Sequence, residues 1–363
     1  MLRVFGSPRR YVQGPGALRE IAGLVGAGEG SILVIADGFV LGLMKPALVD
    51  ALGPHAGRAT FVAFGGECTA DEIARLAGLA RQERASSVVG VGGGKAIDTA
   101  KGVAREVSAT LVIVPTVASN DSPTSRLAVV YTGDHVLAEV RLMAHNPDAV
   151  VVDTSVIVRA PERFFVSGIG DALSKKFEAD ACFRTGGLNF YKARPPYVAL
   201  TLADACYASI REHAISALEA LRRGEPDDAF ERTVEATILL SGLAFENGGL
   251  SIAHSLTRGL SADPVLARAL HGEQVAWGLL VQLVLEGRDR GMIDDLTDFY
   301  RRVGLPRRLA DLAGGAGDLG ARAQAIARVT WETAPYVKHL QAPVDAARIE
   351  RAILDLESRG GGR

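Results

Sequence analysis

At 363 residues, with 48% apolar and 23% charged side chains, the chain has material for two hydrophobic cores and lacks the composition of a disordered protein. A formal charge of -2 offers no basic field for a phosphate backbone, which argues against nucleic acid and for a small substrate. The cysteines Cys68, Cys182 and Cys206 follow no CxxC spacing and suit a reducing cytoplasm; residues 1–11 hold no apolar core of a signal peptide, and no apolar run is long enough to span a bilayer. The expectation is a cytoplasmic protein that neither leaves the cell nor enters a membrane.

Short β-branched runs alternate with helical stretches in the first half, the pattern of βα units around a mainly parallel sheet. Strands are predicted at 31–36, 59–64, 87–91 and 111–114, with helices at 71–84 and 96–106. Residues 127–131 and 136–141 flank Thr132-Gly133-Asp134 and predict a hairpin beside the parallel core, with a further strand at 149–153. From Pro161 onward Leu, Ala and Arg recur at helical spacing, and Pro161 itself suits the first turn of a helix. The expected architecture is an α/β nucleotide-binding domain at 1–160 and an all-helical metal-binding and catalytic domain at 161–363, ending in a frayed Gly360-Gly361-Gly362.

Gly90-Val91-Gly92-Gly93-Gly94-Lys95 links a predicted strand to a predicted helix. Glycines there let the backbone approach a pyrophosphate, and the helix start offers unpaired N–H groups and the positive end of a dipole, with Lys95 as an added charge. A tight strand-to-helix turn would carry the same glycines. Asp37 ends the first apolar strand, where a carboxylate accepts hydrogen bonds from ribose hydroxyls and repels a 2′-phosphate, favouring NAD over NADP; it also suits a turn or cap. Asp98 counts among the cofactor candidates, but its place one turn into the helix is equally that of a partner for the helix dipole. The polar loop from Pro115 to Ser125 follows the next strand, at the end where α/β sheets bind ligands.

In the helical half, Asp171 follows Gly168-Ile169-Gly170, while His254 and His271 lie in glycine-flanked apolar segments. One carboxylate and two imidazoles form a ligand set for Zn²⁺, or for Fe²⁺ in a related arrangement, with positions left open for a substrate oxygen. The histidines are too far apart in sequence for one helical face and belong to neighbouring helices. The remaining histidines, His55, His135, His145, His213 and His339, are read as ordinary hydrogen-bonded residues.

The runs GVGGGKAIDTAK (90–101), VPTVASNDSPTS (114–125), SGIGDALSKKFEADAC (167–182), SGLAFENGGLSIAHSLTRG (241–259) and HGEQVAWGLLVQLVLE (271–286) closely resemble glycerol dehydrogenases, a zinc-using branch of the iron-containing alcohol dehydrogenase superfamily. The resemblance implies metal ligation by Asp171, His254 and His271, with Asp171 and His254 serving catalysis too. It implies NAD contacts at Asp37, Gly92, Gly93, Gly94, Lys95, Thr116, Ser119, Ser125, Leu127 and Tyr131, a substrate-side carboxylate at Asp121, and a pocket wall at Phe245. It also implies a site in the cleft between the two domains and a homo-oligomer, from dimer to octamer. Iron-type members carry a fourth histidine one turn after the aspartate; here Lys175 stands there, leaving three residues for zinc and an opening for two adjacent hydroxyls of a polyol.

Asn120, Asn247 and Arg258 depart from the pattern of the branch. Arg258 lies one turn after His254, where it suits an anionic group on a substrate, a solvated helix face or an interface. The functional expectation is an NAD-dependent enzyme that interconverts glycerol or a related vicinal polyol and its ketone. An sn-glycerol-1-phosphate dehydrogenase-like enzyme or a biosynthetic cyclitol or amino-polyol dehydrogenase on the same fold is the alternative. A dehydroquinate synthase-like lyase would carry glutamate in place of Asp171, and a non-catalytic binding protein would not need both the ligand set and the GGGK loop.

Overall fold

The computed structural model describes residues 1–26, 30–133, 137–315 and 317–359. Asp134, His135 and Val136 of the expected hairpin and the glycines of the expected tail lie outside these residues.

Eight strands appear among the described residues: β1 (Tyr11–Gly14), β2 (Ser31–Ala36), β3 (Ala59–Ala63), β4 (Ala85–Gly92), β5 (Thr110–Pro115), β6 (Leu127–Tyr131), β7 (Leu137–Leu142) and β8 (Ala149–Asp153). Six of them pair side by side in the order β1-β8-β5-β4-β2-β3, every pairing parallel. The continuous apolar runs of β2, β5 and β8 follow from this, because a parallel sheet is covered on both faces and leaves no strand face for water. The hairpin β6-β7 is a separate antiparallel pair. Helices α1 (Gly38–Leu52), α2 (Ala70–Gln82) and α3 (Gly94–Val107) connect these strands, and the short α4 (Thr154–Ile157) follows β8. Thr69 caps α2 by accepting from Glu72 N at 3.1 Å, and Arg84, placed in a helix by its sequence, has φ 52° and stands outside it.

The rest of the chain is helical, with α5 (Glu162–Arg184), α6 (Tyr197–Arg223), α7 (Asp228–Glu235), α8 (Ser241–Gly248), α9 (Ile252–Ser261), α10 (His271–Leu285), α11 (Arg290–Val303), α12 (Leu309–Ala313), α13 (Leu319–Thr333) and α14 (Ala346–Arg359). Wider π-type hydrogen bonding runs from Ala236 to Leu240, just before α8. No single helix among the described residues is long and apolar enough to cross a membrane.

Two compact units result. The α/β unit comprises Gly6–Pro161 and Ala220–Gly242; the helical unit comprises Met1–Phe5, Glu162–Glu219 and Leu243–Arg363. Two excursions therefore depart from a single cut near residue 160, each with a hydrogen-bonding cause. Glu231 of α7 receives Gln13 Nε2 at 2.7 Å and Thr154 Oγ1 at 2.6 Å, which fastens the 220–242 segment to the α/β unit. The first residues join the helical unit because Leu2 O accepts from Arg194 N at 3.0 Å and Val4 O from Asn189 Nδ2 at 3.1 Å.

Candidate metal and nucleotide sites

In the α/β unit the chain runs from β2 outward to β3, then returns to the other side of β2 as β4 before moving on to β5. The order reverses between β2 and β4, and in open α/β sheets ligands bind outside the carboxyl ends of strands at such a switch point. Those ends carry Asp37 after β2, Gly92-Gly93-Gly94-Lys95 after β4, and the loop from Thr116 to Ser125 after β5. Gly92 has φ 140°, a conformation that side chains rarely adopt, and its carbonyl accepts from Thr116 N at 3.1 Å. Gly93 is the N-cap of α3 and Gly94 its first residue, so the opening amides of a long helix face the glycine loop.

The candidate cofactor residues divide into two groups. Asp37 is the N-cap of α1, its Oδ1 accepting from Val40 N at 2.9 Å. Lys95 is half-exposed and pairs with Glu67 at 2.7 Å, with its Nζ 5.8 Å from the centre of the Tyr131 ring. Ser119 is half-buried beyond Thr116 in the loop. Asp98, Ser125 and Leu127 instead meet below this surface around Lys101, which the sequence reading passed over. The buried Lys101 ammonium contacts Asp98 Oδ1 at 3.1 Å, Ser122 O at 2.7 Å, Ser125 Oγ at 3.3 Å and Leu127 O at 2.5 Å. Asp98 Oδ2 accepts from Val129 N at 3.1 Å. Burial pushes the Asp98 carboxyl above its ordinary value, against the pull of Lys101. Asp98 and Lys101 thus bind α3 to β6 and to the polar loop.

Asp121 is buried, and its Oδ2 accepts from Ser241 Oγ at 2.9 Å. Ser241 follows the π-type segment, whose Ile238 carbonyl accepts from Thr124 Oγ1 at 3.3 Å. Wider turns of this kind leave carbonyls available to side chains. No periodicity in the sequence announced them.

In the helical unit Asp171, His254 and His271 come together from α5, α9 and α10, each offering one ligand atom within 4.8 Å of the others. Main-chain packing sets this spacing. A Cβ added at Gly272 would lie 1.7 Å from Ser167 O, and one at Gly170 would lie 2.5 Å from Gly272 O, so only glycines allow α5 and α10 to touch beside Asp171 and His271. Glu178, two turns after Asp171 on α5, holds α9: its Oε1 accepts from Ser251 N at 2.9 Å and His254 N at 3.0 Å, and its Oε2 meets His254 Nδ1 at 2.5 Å. With Nδ1 engaged, His254 Nε2 is turned toward Asp171 Oδ1 at 3.3 Å. His271 Nε2 stands 3.8 Å from the same oxygen, on the open side of the cluster, with its side chain 44% exposed. The spacing Asp171, Lys175, Glu178 is that of one helix face, a signal available in the sequence and not used there.

Burial alone would push the Asp171 carboxyl up, but Lys175 beside it, with His254 and His271, holds it well below the usual carboxylate range. Glu178 is held down in the same way, burial being outweighed chiefly by His254. Burial opposes charge on His254, yet Glu178 raises it to about 9. Asp171 Oδ2 is a buried oxygen with no hydrogen-bond partner. A buried carboxylate whose Oδ1 faces two imidazole nitrogens and whose Oδ2 has no hydrogen-bond partner is a donor set that fits a divalent ion. Phe245 packs edge-on against Phe190 at 5.3 Å, and Phe190 lies 5.6 Å from Tyr336, forming an aromatic wall in the same unit.

Residues 8–154 match the family model described as iron-containing alcohol dehydrogenase. The chain is 37% identical to the glycerol dehydrogenase of Citrobacter freundii over 360 residues, covering 99% of this chain and 98% of that one. It belongs to the iron-containing alcohol dehydrogenase family. Another member, the glycolaldehyde reductase of Halobacterium salinarum, is 39% identical over 312 residues and 86% of each chain. The family fold is shared with the crystal structure of glycerol dehydrogenase from Schizosaccharomyces pombe, at a TM-score of 0.92 and 33% identity over 100% of this chain and 94% of that one.

Proposed function

We propose that the protein is an NAD-dependent, metal-containing alcohol dehydrogenase that interconverts glycerol, or a related vicinal polyol, and the corresponding ketone. The observation that carries this reading is the convergence of Asp171, His254 and His271 from three helices, with both imidazole Nε2 atoms facing Asp171 Oδ1 and the Oδ2 of that buried carboxylate left without a hydrogen-bond partner. The glycerol dehydrogenases among its relatives support the substrate class. Asp171, His254 and His271 would hold the metal, which would supply Lewis acidity toward a substrate hydroxyl, and the nicotinamide would supply the hydride acceptor.

The chain's own side chains orient and position. Glu178 fixes the His254 ring through Nδ1 and presents Nε2 as the donor. Phe245 walls the substrate pocket, and Asp121, aimed by Ser241, orients a neighbouring hydroxyl or passes on its proton. Gly92, Gly93, Gly94, Lys95, Thr116 and Ser119 receive the dinucleotide, with Tyr131 beside Lys95, and Asp37 selects NAD over NADP. Ser125, Leu127 and Asp98 act from beneath by fixing the loop through Lys101. We assign Zn²⁺ in preference to Fe²⁺, because Lys175 stands where iron-type members carry a fourth histidine. The free, buried cysteines suit a reducing cytoplasm, and the family resemblance supports a homo-oligomer.

The test pairs metal analysis with a spectrophotometric screen for NADH formation across polyols. Asp171→Ala and His254→Ala are expected to lose both metal and turnover; full activity in a metal-free variant would overturn the assignment. A second reading, a substrate bearing an anionic group, is favoured by Arg258. It lies half-buried one turn after His254, and its charge acts on the phenol of Tyr336, which burial pushes up to about 12. A higher kcat/KM for hydroxy acids or phosphorylated polyols, lost in Arg258→Asn, would establish that reading.

A further inference from the structure

The side chain of Lys175 is fully buried, yet it extends toward the donors of the metal cluster. Its ammonium lies 2.6 Å from Asp171 Oδ1 and 3.2 Å from His254 Nε2, touching atoms of two of the three residues offered to a metal. On its other side stands the ring of Phe245, with 5.6 Å between Nζ and the ring centre. A divalent ion on the same oxygen and nitrogen would stand against this buried ammonium, where repulsion between cations is stronger than in solution. The two cations therefore compete for one place.

We propose that Lys175 is a tethered competitor for the divalent ion, closing the pocket in the metal-free protein and leaving Asp171 and His254 when the metal enters. Two consequences separate this from a merely structural lysine. Metal affinity is lower than the same three ligands give beside a neutral residue at 175. The metal-free fold depends on the internal cation, because without it Asp171 is a buried carboxylate with a reduced set of counter-charges. Once the ammonium is displaced, the aromatic face of Phe245 is within its reach and offers it a favourable surface.

The inference rests on the metal reading above, and its test keeps the two apart. Full-length protein and the variants Lys175→Met, Lys175→Gln and Lys175→Thr are stripped with a chelator. Zinc affinity is then measured by competition with a chromophoric chelator at one pH, and each protein is melted with and without zinc. At least tenfold tighter zinc binding is expected in the variants, with a lower melting temperature for their metal-free forms and a larger rise on adding zinc. The neutral side chains of different shape guard against one variant failing to fold for steric reasons. Equal or weaker zinc binding in the folded variants would overturn the role of Lys175 while leaving the metal site standing. Absence of zinc binding in every protein, the unmutated one included, would overturn the metal reading and this inference with it.

Discussion

Replacing Lys101 by methionine tests the buried network beneath the glycine loop. The substitution keeps the length of the side chain and removes its charge. Asp98 then stays buried with Val129 N as its remaining hydrogen-bond donor, and Ser122 O, Ser125 Oγ and Leu127 O lose the ammonium. Breaking a buried ion pair from one side costs about 3–5 kcal/mol. For a chain of this size that corresponds to a fall in Tm of roughly 4–7 °C. The pH dependence has a definite sign. Burial already raises the Asp98 carboxyl and Lys101 restrains it, so the variant's folded state holds this proton to higher pH than its unfolded state does. The deficit is largest where Asp98 is ionised in both states and shrinks on acidification through its raised folded value. Calorimetry and urea titration followed by circular dichroism, each at pH 8 and pH 5, measure the loss. Asp98→Asn in the Lys101→Met background should recover part of it, because the uncompensated carboxylate is gone. A loss below about 1 kcal/mol for Lys101→Met at pH 8 would refute the reasoning.

Other changes bear on the sites directly. Glu178→Gln keeps the shape but removes the charge that orients His254, and zinc affinity is expected to fall by about 10–100-fold in chelator competition; an unchanged affinity would remove Glu178 from the metal site. Asp37→Ser retains a hydroxyl cap for α1 while deleting the carboxylate, so the ratio of kcat/KM for NAD over NADP should drop by about tenfold or more with little change in Tm. Gly272→Ala drives a Cβ into Ser167 O, and a stability loss of at least about 1–3 kcal/mol is expected together with weaker zinc binding. Burial pushes the thiols of Cys68 and Cys182 up to about 12, so at pH 8 the folded protein should leave both unlabelled by a thiol reagent that reacts with them after unfolding.

Much of the fold was legible because strands buried on both faces advertise themselves. β2, β5 and β8 read as strands from continuous apolar runs, and α2 and α3 as the helical stretches between them. β1 was not legible: it spans four residues beside Gly14 and Pro15, and its strand character comes from pairing with β8. α1 carries Gly38, Gly42 and Pro46, which locally argue against a helix and are tolerated along a partly exposed one capped by Asp37. The Lys101 network escaped notice because a lysine within a helical stretch is ordinarily a solvated residue, and only the folded loop brings four oxygens to it. At the metal cluster the ligand types were readable. Lys175 was noted only as the replacement for a fourth histidine, and the orienting Glu178 was overlooked, although both follow Asp171 on the same face of α5.

At Gly170 and Gly272 the neighbouring backbones meet with no side chain between them, and the same holds at Gly278, where an added Cβ would lie 2.6 Å from Ala253 O. The distances between the three helices that carry Asp171, His254 and His271 are therefore set by backbone contact, and side-chain orientation adjusts the donors within that frame. Substitutions at Phe245, Tyr336 or Arg258, which lie outside these backbone contacts, are therefore expected to leave the spacing of α5, α9 and α10 unchanged.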